Sequence, residues 1–276
     1  MEDSEMTAMN NHPELIAKLA EGIGNLTSSD QWQNYLDFQG RFHRYSYRNV
    51  LLIASQRHEA TRGAGFNAWR KMNRFVRKGE KAIFILAPMV YKNADAKDGD
   101  DERIIRGFKF VPVFDVAQTD GEELPTVCNR LDGEDPAGHY ATLLAVAQGI
   151  GFTVIDHEFE GGTNGDCSHA EHRIRVEVRN TPAQRVKTLA HEIAHALLHE
   201  NFDSRALAEL EAESTAYVVT QSLGLDSSDY SFGYVANWAG GGGEAIAGIK
   251  ASCDRIQKTA ATMLRAFEPA AEEVAA

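Results

Sequence analysis

Two histidines and a glutamate in the second half of the chain have the types and the spacing of a hydrolytic metal site. His191, Glu192 and His195 form the pattern His-Glu-x-x-His. Residues four apart share one face of an α-helix, so both imidazoles can occupy corners of one tetrahedral zinc site. Glu192 lies beside the metal rather than on it, where a carboxylate can accept a proton from water. The pattern predicts a zinc site with Glu192 placed to accept a proton from the metal-bound water.

The neighbouring residues favour a helix that positions this motif. Thr181 is a good N-cap residue, Pro182 suits the first helical position, and no Pro or Gly interrupts residues 183–200. The alternative is a buried amphipathic helix that carries the motif by chance, which is expected in roughly 3% of such chains. We therefore favour the metal site. His199 lies about 12 Å from His191 along the axis, too far to share the ion, and is expected to end the helix.

The next helical segment, which Ser204 can cap, offers a third protein ligand. Glu209 and Glu213 are four apart and share a face, whereas Glu211 points elsewhere. An acidic cluster is usually a solvated surface, but this segment otherwise has the apolar pattern of a core helix. We favour Glu209 as the ligand, with the fourth corner open for water. Glu213 is then a residue that orients a histidine ring, or an alternative ligand.

The spacing of these residues resembles the gluzincin-type pattern of ImmA/IrrE metallopeptidases. It is carried by His191-Glu192-x-x-His195 and Glu209-x-x-Ala212-Glu213. The resemblance implies that Glu209 is the third ligand, although the family typically has Asn or Asp where this chain has Glu213. It also implies that a predicted strand at residues 173–178 lies beside the motif helix and can pair with an extended substrate. Zinc is the predicted metal, and Mn²⁺ or another divalent ion also suits these ligands.

Composition places the chain among globular proteins of the cytoplasm. Its 276 residues are enough for one large or two ordinary domains, with 43% hydrophobic and 25% charged residues. No stretch approaches about 18 consecutive apolar residues, so no membrane partner is expected. The acidic N-terminus does not have the pattern of a secretory signal. The three cysteines are widely spaced and form no disulfide framework, which favours a reducing compartment.

Charge is distributed unevenly along the chain. Residues 31–92 contain 12 Lys and Arg against three acidic residues, a local charge of +9 within a chain of net charge −12. The remaining residues therefore carry −21. Such asymmetry indicates a nucleic-acid surface on the basic part.

Aromatic and cationic residues alternate in this basic part, a composition that suits single-stranded DNA. Bases stack on aromatic rings while Arg and Lys follow the phosphates. The alternative is that Trp69 and most of the tyrosines are core residues and that the charges form a solvated face. The candidate DNA-binding residues are Arg41, Tyr45, Tyr47, Arg48, Trp69, Arg70, Lys71, Arg74, Arg77, Lys78 and Lys81.

The order of elements predicts an α+β protein with two domains. Helical patterns come first, and a buried strand that ends at Pro88 pairs with a strand over residues 104–114 in a small antiparallel sheet. Residues 1–125 are predicted to form the single-stranded-DNA-binding domain. Residues 126–135, rich in Gly, Pro and acids, are the predicted linker, and residues 136–276 the gluzincin-like metallopeptidase domain.

A second resemblance covers most of the first half of the chain. Its ordered motifs resemble the N-terminal domain of ArdC-type antirestriction proteins. They include Trp32-x-x-Tyr35-Leu36, Tyr45-Ser46-x-x-Asn49, Gly65-Phe66-x-x-Trp69, Lys78-Gly79-Glu80-Lys81 and Val113-Phe114-Asp115. This resemblance implies a domain that binds single-stranded DNA and protects incoming, often plasmid-borne, DNA against restriction endonucleases.

The two halves together predict an antirestriction protein that binds single-stranded DNA and cleaves an unknown protein substrate. One alternative is a DNA-binding antirestriction factor whose metal site is structural or vestigial. Another is a peptidase that cleaves a transcriptional repressor and whose basic domain binds protein. Tyr217, Tyr230 and Tyr234 are candidates for stabilising an oxyanion, and the sequence does not choose among them.

Overall fold

The structure, a computed structural model, describes residues 12–26, 29–92, 103–123, 138–202, 204–225 and 243–268. The chain forms two compact units. Helices and strands occur in both, which confirms the predicted α+β class. Within the described ranges, every helix is too short or too polar to cross a bilayer.

The described helices and strands follow one another in a mixed order along the chain. The helices are α1 (Pro13–Asn25), α2 (Ser29–Arg41), α3 (Tyr47–Gln56), α4 (Phe66–Lys71), α5 (His139–Gly149), α6 (Pro182–Leu198), α7 (Arg205–Ser222) and α8 (Gly243–Leu264). The strands are β1 (Gly63–Ala64), β2 (Arg74–Val76), β3 (Ile83–Lys92), β4 (Arg103–Asp115), β5 (Thr119–Gly121), β6 (Thr153–His157), β7 (Gly165–Ser168) and β8 (Arg173–Glu177). Short 3₁₀ turns at Val116–Gln118 and Arg265–Phe267 follow β4 and α8.

The division between the units differs from the predicted one in a single segment. The first unit consists of Met1–Asn25 and Tyr47–Leu124, and the second of Leu26–Ser46 and Pro125–Ala276. Helix α2 therefore belongs with the C-terminal part of the chain, although it lies within the predicted DNA-binding domain. The predicted linker at residues 126–135 lies outside the described residues.

In the first unit, α1 packs on α3, and α3 packs on strand β3 of an antiparallel sheet of order β1-β4-β3. The buried side chain of Asn49 on α3 fixes the helix to β3, because it hydrogen-bonds both the N–H and the C=O of Leu86, at 2.8 and 2.9 Å. Strand β3 continues through Pro88 to Lys92, so the predicted end at Pro88 is wrong. Proline is tolerated there because β3 lies at the edge of the sheet and needs fewer N–H donors.

The second unit is built around α6 and α7, which pack against each other. Both predicted caps are confirmed, since Thr181 accepts a hydrogen bond from the N–H of Gln184 and Ser204 accepts one from that of Leu207, each at 3.3 Å. Helix α2 packs on α7, where the buried Trp32 indole donates to the Ser214 hydroxyl at 3.0 Å. This contact explains why α2 belongs to the second unit.

The sheet of the second unit has the order β6-β8-β7. Strand β8 pairs in parallel with β6 and antiparallel with β7, so both of its sides are occupied. The predicted pairing of a substrate with residues 173–178 is therefore wrong. Among the described residues, β7 lies at the edge of this sheet, and it also packs against α6.

Candidate functional site

The three predicted metal ligands converge at the contact between α6 and α7. The Nε2 atoms of His191 and His195 lie 3.0 Å apart, and Oε2 of Glu209 lies 3.4 Å from the first and 3.6 Å from the second. Bonds of about 2.1 Å in a tetrahedron would separate neighbouring ligand atoms by about 3.4 Å. Among the described residues, this is the one cluster of His, Cys, Asp and Glu side chains with ligand geometry. The donor set fits a small divalent cation.

The electrostatics of this cluster also favour a bound cation. Burial opposes the protonated form of His191, but hydrogen bonds to Glu209 and Glu213 outweigh it and raise the pKa of His191 to about 9. Hydrogen bonds from His191 and His195 hold the pKa of the Glu209 carboxyl well below its usual range. Both shifts show that the carboxylates around His191 make the pocket attractive to positive charge.

Glu192 is buried beside the ligands, with 6% of its surface exposed. Burial, together with the nearby Asp166 and Glu209 carboxylates, raises the pKa of Glu192 to about 7, against the opposing effect of His191. A carboxylate whose pKa is close to neutral is suited to accept and return a proton. The arrangement therefore has the ligands and the base that metal-assisted hydrolysis requires.

Strand β7 passes so close to Glu192 that only glycine fits at its first residue. A Cβ atom added to Gly165 would lie 2.6 Å from Cγ2 of Thr188 and 3.0 Å from Oε1 of Glu192. The sheet edge thus lies directly against the candidate base. The sequence analysis missed this role, because the strand is short and has no clear alternation.

Nδ1 of His191, the ring nitrogen that does not face the other ligand atoms, contacts a carboxylate on α7. This nitrogen lies 3.0 Å from Oε2 of Glu213, and Oε1 of Glu213 lies 3.3 Å from Nζ of Lys187. Burial would raise the pKa of Glu213, but its contacts with His191 and Lys187 lower it. Glu213 therefore occupies the ring-orienting position predicted for it. Its oxygens face the outer side of the His191 ring rather than the ligand atoms.

Nδ1 of His195 contacts another histidine rather than a carboxylate, a contact that the sequence did not predict. This nitrogen lies 3.0 Å from Nδ1 of His199, and Nε2 of His199 lies 3.3 Å from Oε2 of Glu211. Glu211 is also hydrogen-bonded by Ser252 and Arg255 of α8. His199 follows the last residue of α6 as predicted, and its four-residue spacing from His195 is the signal for this contact.

Tyr217 and the other oxyanion candidates receive no role from the structure. The Tyr217 hydroxyl donates to Asp37 of α2, so it helps to hold α2 on α7. Tyr230 and Tyr234 lie outside the described residues.

Burial excludes part of the predicted DNA surface. Trp69 is fully buried and its indole donates to the C=O of Phe114 at 2.9 Å, while Tyr47 is 6% exposed. The prediction that these two rings contact DNA is therefore wrong, since a stacked base needs an exposed ring face. Arg48 lies over the Tyr47 ring, 5.7 Å from its centre.

The remaining predicted cations divide into structural and exposed groups. Arg74 hydrogen-bonds Thr119, and Arg77 pairs with Glu80 and Asp120, so both stabilise the region around β2 and β5. Two further DNA candidates, Arg41 and Tyr45, belong to the second unit, whereas the other candidates belong to the first. Four predicted cations of the first unit are exposed and form no ion pair with any described residue. They are Arg70, Lys71, Lys78 and Lys81.

Two exposed aromatic residues lie in the same stretch and were missed as DNA candidates. Phe66 on α4 is 50% exposed and Phe75 on β2 is 57% exposed. Helix α4 packs against β2, and Phe66 and Arg70 are four apart on one face of α4. We call these six residues the exposed basic-aromatic segment. They are Phe66, Arg70, Lys71, Phe75, Lys78 and Lys81.

Comparison with protein-family models accounts for most of the chain. Residues 10–123 match the N-terminal domain of anti-restriction factor ArdC, and residues 147–225 match the IrrE N-terminal-like domain of peptidase family M78. The chain combines an ArdC-type N-terminal domain with an IrrE-like domain. Both predicted resemblances are thereby confirmed. The IrrE-like match includes all three candidate ligands and Glu192.

The chain is also similar to individual proteins and solved structures. The chain is 26% identical over 284 residues to an uncharacterised protein of Bacillus anthracis, a match that includes 86% of this chain. It spans about half the length (48%) of that curated relative. The metal-free crystal structure of the antirestriction protein ArdC from plasmid R388 has a TM-score of 0.50 at 22% identity, covering 81% of this chain and 85% of that one. The Mn(II)-bound structure of the same protein has a TM-score of 0.49 at 21% identity, with the same coverage.

Proposed function

We propose that the IrrE-like domain is a divalent-metal-dependent peptidase and that the protein binds single-stranded DNA in an antirestriction role. The observation that carries the first part is the convergence of His191, His195 and Glu209, with Glu192 buried beside them. The match to peptidase family M78 supports it. The proposed substrate is a protein, and the free thiols of Cys167 and Cys253 suit a cytoplasmic location.

In this proposal, different residues bind the metal, transfer the proton and bind the peptide. A divalent ion held by His191, His195 and Glu209 would supply a Lewis acid that polarises the scissile carbonyl. Glu192 accepts a proton from the attacking water and passes it to the leaving amine. Strand β7, at the edge of the sheet and against Glu192, can hold an extended peptide by strand addition.

Zinc is the metal we propose for this site. Two imidazoles, one carboxylate and an open fourth position are the usual ligands of catalytic zinc. Mn²⁺ also accepts imidazole and carboxylate ligands, so ligand type alone does not separate the two metals. Metal analysis of the purified protein, followed by competition between Zn²⁺ and Mn²⁺, decides which ion the site prefers.

Glu192→Gln tests the peptidase proposal. We expect metal-dependent cleavage of a mixed peptide library, followed by mass spectrometry, to fall about 10²- to 10⁴-fold with metal binding retained. Glu200→Gln, an exposed carboxylate just beyond α6, is the matched control and should cleave normally. Equal cleavage by the wild-type protein and Glu192→Gln would remove Glu192 from the mechanism. A library left intact by the wild-type protein with either metal would contradict the peptidase.

The proposal of single-stranded DNA as the partner rests on the ArdC-type domain and the exposed basic-aromatic segment. Four exposed cations can follow phosphates, and the exposed rings of Phe66 and Phe75 can stack on bases, which a duplex keeps inside its helix. A binding surface of this kind is independent of sequence and strongly dependent on salt.

Binding of labelled single-stranded and duplex oligonucleotides across a salt series tests the DNA proposal. The intact chain is used, because a fragment of residues 1–125 would separate α2 from α7. We expect preference for single strands. Replacing Lys71, Lys78 and Lys81 with Gln should reduce the slope of log affinity against log salt by about 2. Absence of DNA binding would leave a peptidase whose basic segment recognises protein.

The same Glu192→Gln change separates the antirestriction alternatives. Transfer of unmodified DNA into a restricting host measures protection. Protection lost with Glu192→Gln supports proteolysis as the mechanism, whereas protection that persists supports shielding of DNA by occupancy alone. Absence of protection by the wild-type protein would contradict the antirestriction role and favour cleavage of a repressor.

A further inference from the structure

We propose that His199 and Glu211 position the metal ligand His195, and that Ser252 and Arg255 of α8 hold this pair in place. The inference rests on the proposed metal site and concerns residues that the metal does not touch. We call the connection from His195 through His199 and Glu211 to Arg255 the support chain.

The direction of the hydrogen bonds in the support chain follows from metal binding. The Nε2 of His195 faces the other two ligand atoms, so its single ring proton must lie on Nδ1. That N–H points to Nδ1 of His199, 3.0 Å away. Nδ1 of His199 can accept this hydrogen bond only if it carries no proton of its own. The proton of His199 then lies on Nε2 and is donated to Oε2 of Glu211 at 3.3 Å. Each group has one compatible role, and the ring of His195 is thereby oriented.

Glu211 is a firm end point for the support chain. It is 1% exposed, and a buried carboxylate is costly unless charge and hydrogen bonds compensate it. Arg255 places its guanidinium on both carboxylate oxygens, with Nε 2.9 Å from Oε2 and 3.1 Å from Oε1. The fully buried hydroxyl of Ser252 donates to Oε1 at 2.6 Å. Arg255 also donates to the Ser252 hydroxyl at 3.3 Å, so the two α8 residues hold the Glu211 side chain as a connected pair.

The two histidine ligands consequently depend on different parts of the unit. His191 is oriented by Glu213, whose other partner, Lys187, lies on the same helix as the motif. His195 is oriented through a third helix, α8. The match to the IrrE-like family model ends at residue 225, before α8 begins, so Ser252 and Arg255 lie outside the part of the chain it aligns. Helix α8 is thus a functional part of this chain's metal centre.

Zinc affinity measured by competition with a coloured chelator tests the support chain. Glu211→Gln keeps the shape of the side chain and removes its charge. We expect it to weaken Zn²⁺ binding about 10- to 100-fold, the usual effect of losing a partner of a ligand. Asp254→Asn, next to Arg255 on α8 and paired with the exposed Lys258, is the matched control and should bind as the wild type does. Equal losses in Glu211→Gln and Asp254→Asn would overturn the inference, because the loss of any negative charge near Arg255 would then explain the effect.

A pair of substitutions at His199 separates positioning from folding. His199→Asn retains an acceptor near the position of Nδ1, whereas His199→Phe retains a ring without one. We expect the Asn variant to bind Zn²⁺ within about threefold of wild type and the Phe variant to lose about tenfold or more. The absorption spectrum of the Co²⁺-loaded protein should shift only in the Phe variant. Thermal unfolding of the metal-free proteins is the control that checks whether each variant is folded at the assay temperature.

The outcomes distinguish the inference from the proposed function. Unchanged affinity and Co²⁺ spectra in both Glu211→Gln and His199→Phe, with tight binding by the wild type, would overturn the support chain alone. Failure of the wild-type protein to bind Zn²⁺, Mn²⁺ or Co²⁺ would overturn the metal site and the support chain with it.

Discussion

Charged side chains have opposite environments in the proposed metal centre, formed by His191, His195, Glu209 and the residues around them, and in the exposed basic-aromatic segment. In the metal centre, Glu192 and Glu211 are nearly inaccessible, and each side chain has a defined partner or neighbour. In the segment, Lys71 and Lys78 are exposed and pair with no other described residue. The contrast matches two kinds of chemistry. Hydrolysis requires groups held within fractions of an ångström, whereas binding to a phosphate backbone tolerates mobile charges.

The difference also explains why the sequence predicts the candidate metal ligands better than the candidate DNA surface. Ligand spacing on a helix is a geometric requirement, and His191 and His195 meet it within four residues. A DNA surface has no comparable spacing, and composition does not tell an exposed ring from a buried one. Trp69 and Phe75 illustrate this, because both lie in the basic stretch, yet one is fully buried and the other is 57% exposed.

The largest expected effect is the loss of a ligand. His195→Ala should weaken Zn²⁺ binding about 100- to 1,000-fold, since four-ligand structural zinc sites contribute roughly 10–16 kcal/mol in total. Chelator competition measures it. DNA affinity should stay within about twofold if the two regions work independently in binding. A His195→Ala protein that keeps wild-type zinc affinity would show that the ligand assignment is wrong.

The next effect tests how precisely the metal centre is built. Gly165→Ala places a methyl group against Thr188 and Glu192, so we expect peptide cleavage to fall about 10- to 100-fold through displacement of the base. Gly162→Ala is a matched control, because an added Cβ there meets nothing within 4 Å. Steady-state rates of peptide cleavage by the two variants and the wild type test this prediction. Normal cleavage by Gly165→Ala would mean that the site is more adaptable than its contacts indicate.

A smaller effect is expected in the exposed basic-aromatic segment. Phe75→Ala should weaken single-stranded DNA binding about tenfold, because base stacking contributes roughly 1–3 kcal/mol per base. Thermal stability should change little, since the ring is half exposed. Tyr91→Ala removes another exposed ring, 49% exposed on β3 and outside the segment, and serves as the control. Equal losses in the two variants, measured by fluorescence anisotropy, would show that the segment is not a distinct surface.

The smallest effect concerns a carboxylate that is fixed but lies outside the metal centre. Hydrogen bonds from Arg179, and a further one from the Phe159 N–H, lower the pKa of Glu177 to about 2. An unfolded Glu has a pKa of about 4.3, so ionised Glu177 stabilises the fold above that pH and loses this effect as the pH falls to about 2. Glu177→Gln should therefore lower the melting temperature by a few degrees at pH 7 and hardly at all near pH 2. Zinc affinity at pH 7 should be unchanged, and a clear loss would link Glu177 to the metal centre.

Local sequence was sufficient for the elements whose ends are set by their own residues. The caps at Thr181 and Ser204 and the helices they begin follow from side chain-to-backbone hydrogen bonds within three residues. The three candidate metal ligands followed from helical periodicity and from family resemblance, and the structure brings their side chains together.

Features that depend on distant partners were not predictable in this way. Pro88 continues its strand because β3 lies at a sheet edge, which no local pattern reveals. Strand β7 and the role of Glu211 depend on neighbours far along the chain, such as Arg255, 44 residues after Glu211. The sequence pattern correctly placed Glu211 away from the ligands, but nothing in it indicated the contact with α8.

The contact of Trp32 with Ser214 has a consequence for how the protein is synthesised and how it can be divided. These residues are 182 positions apart, and the whole of residues 47–124 is translated between α2 and α7. Helix α2 must therefore wait for most of the chain to leave the ribosome before it reaches its final partner, a long-range step that is slow in folding. A gene fragment that starts after residue 46 would encode the metal ligands without the helix that packs behind them. We expect such a fragment to aggregate, and separate addition of a peptide containing Ser29–Arg41 to restore part of its solubility.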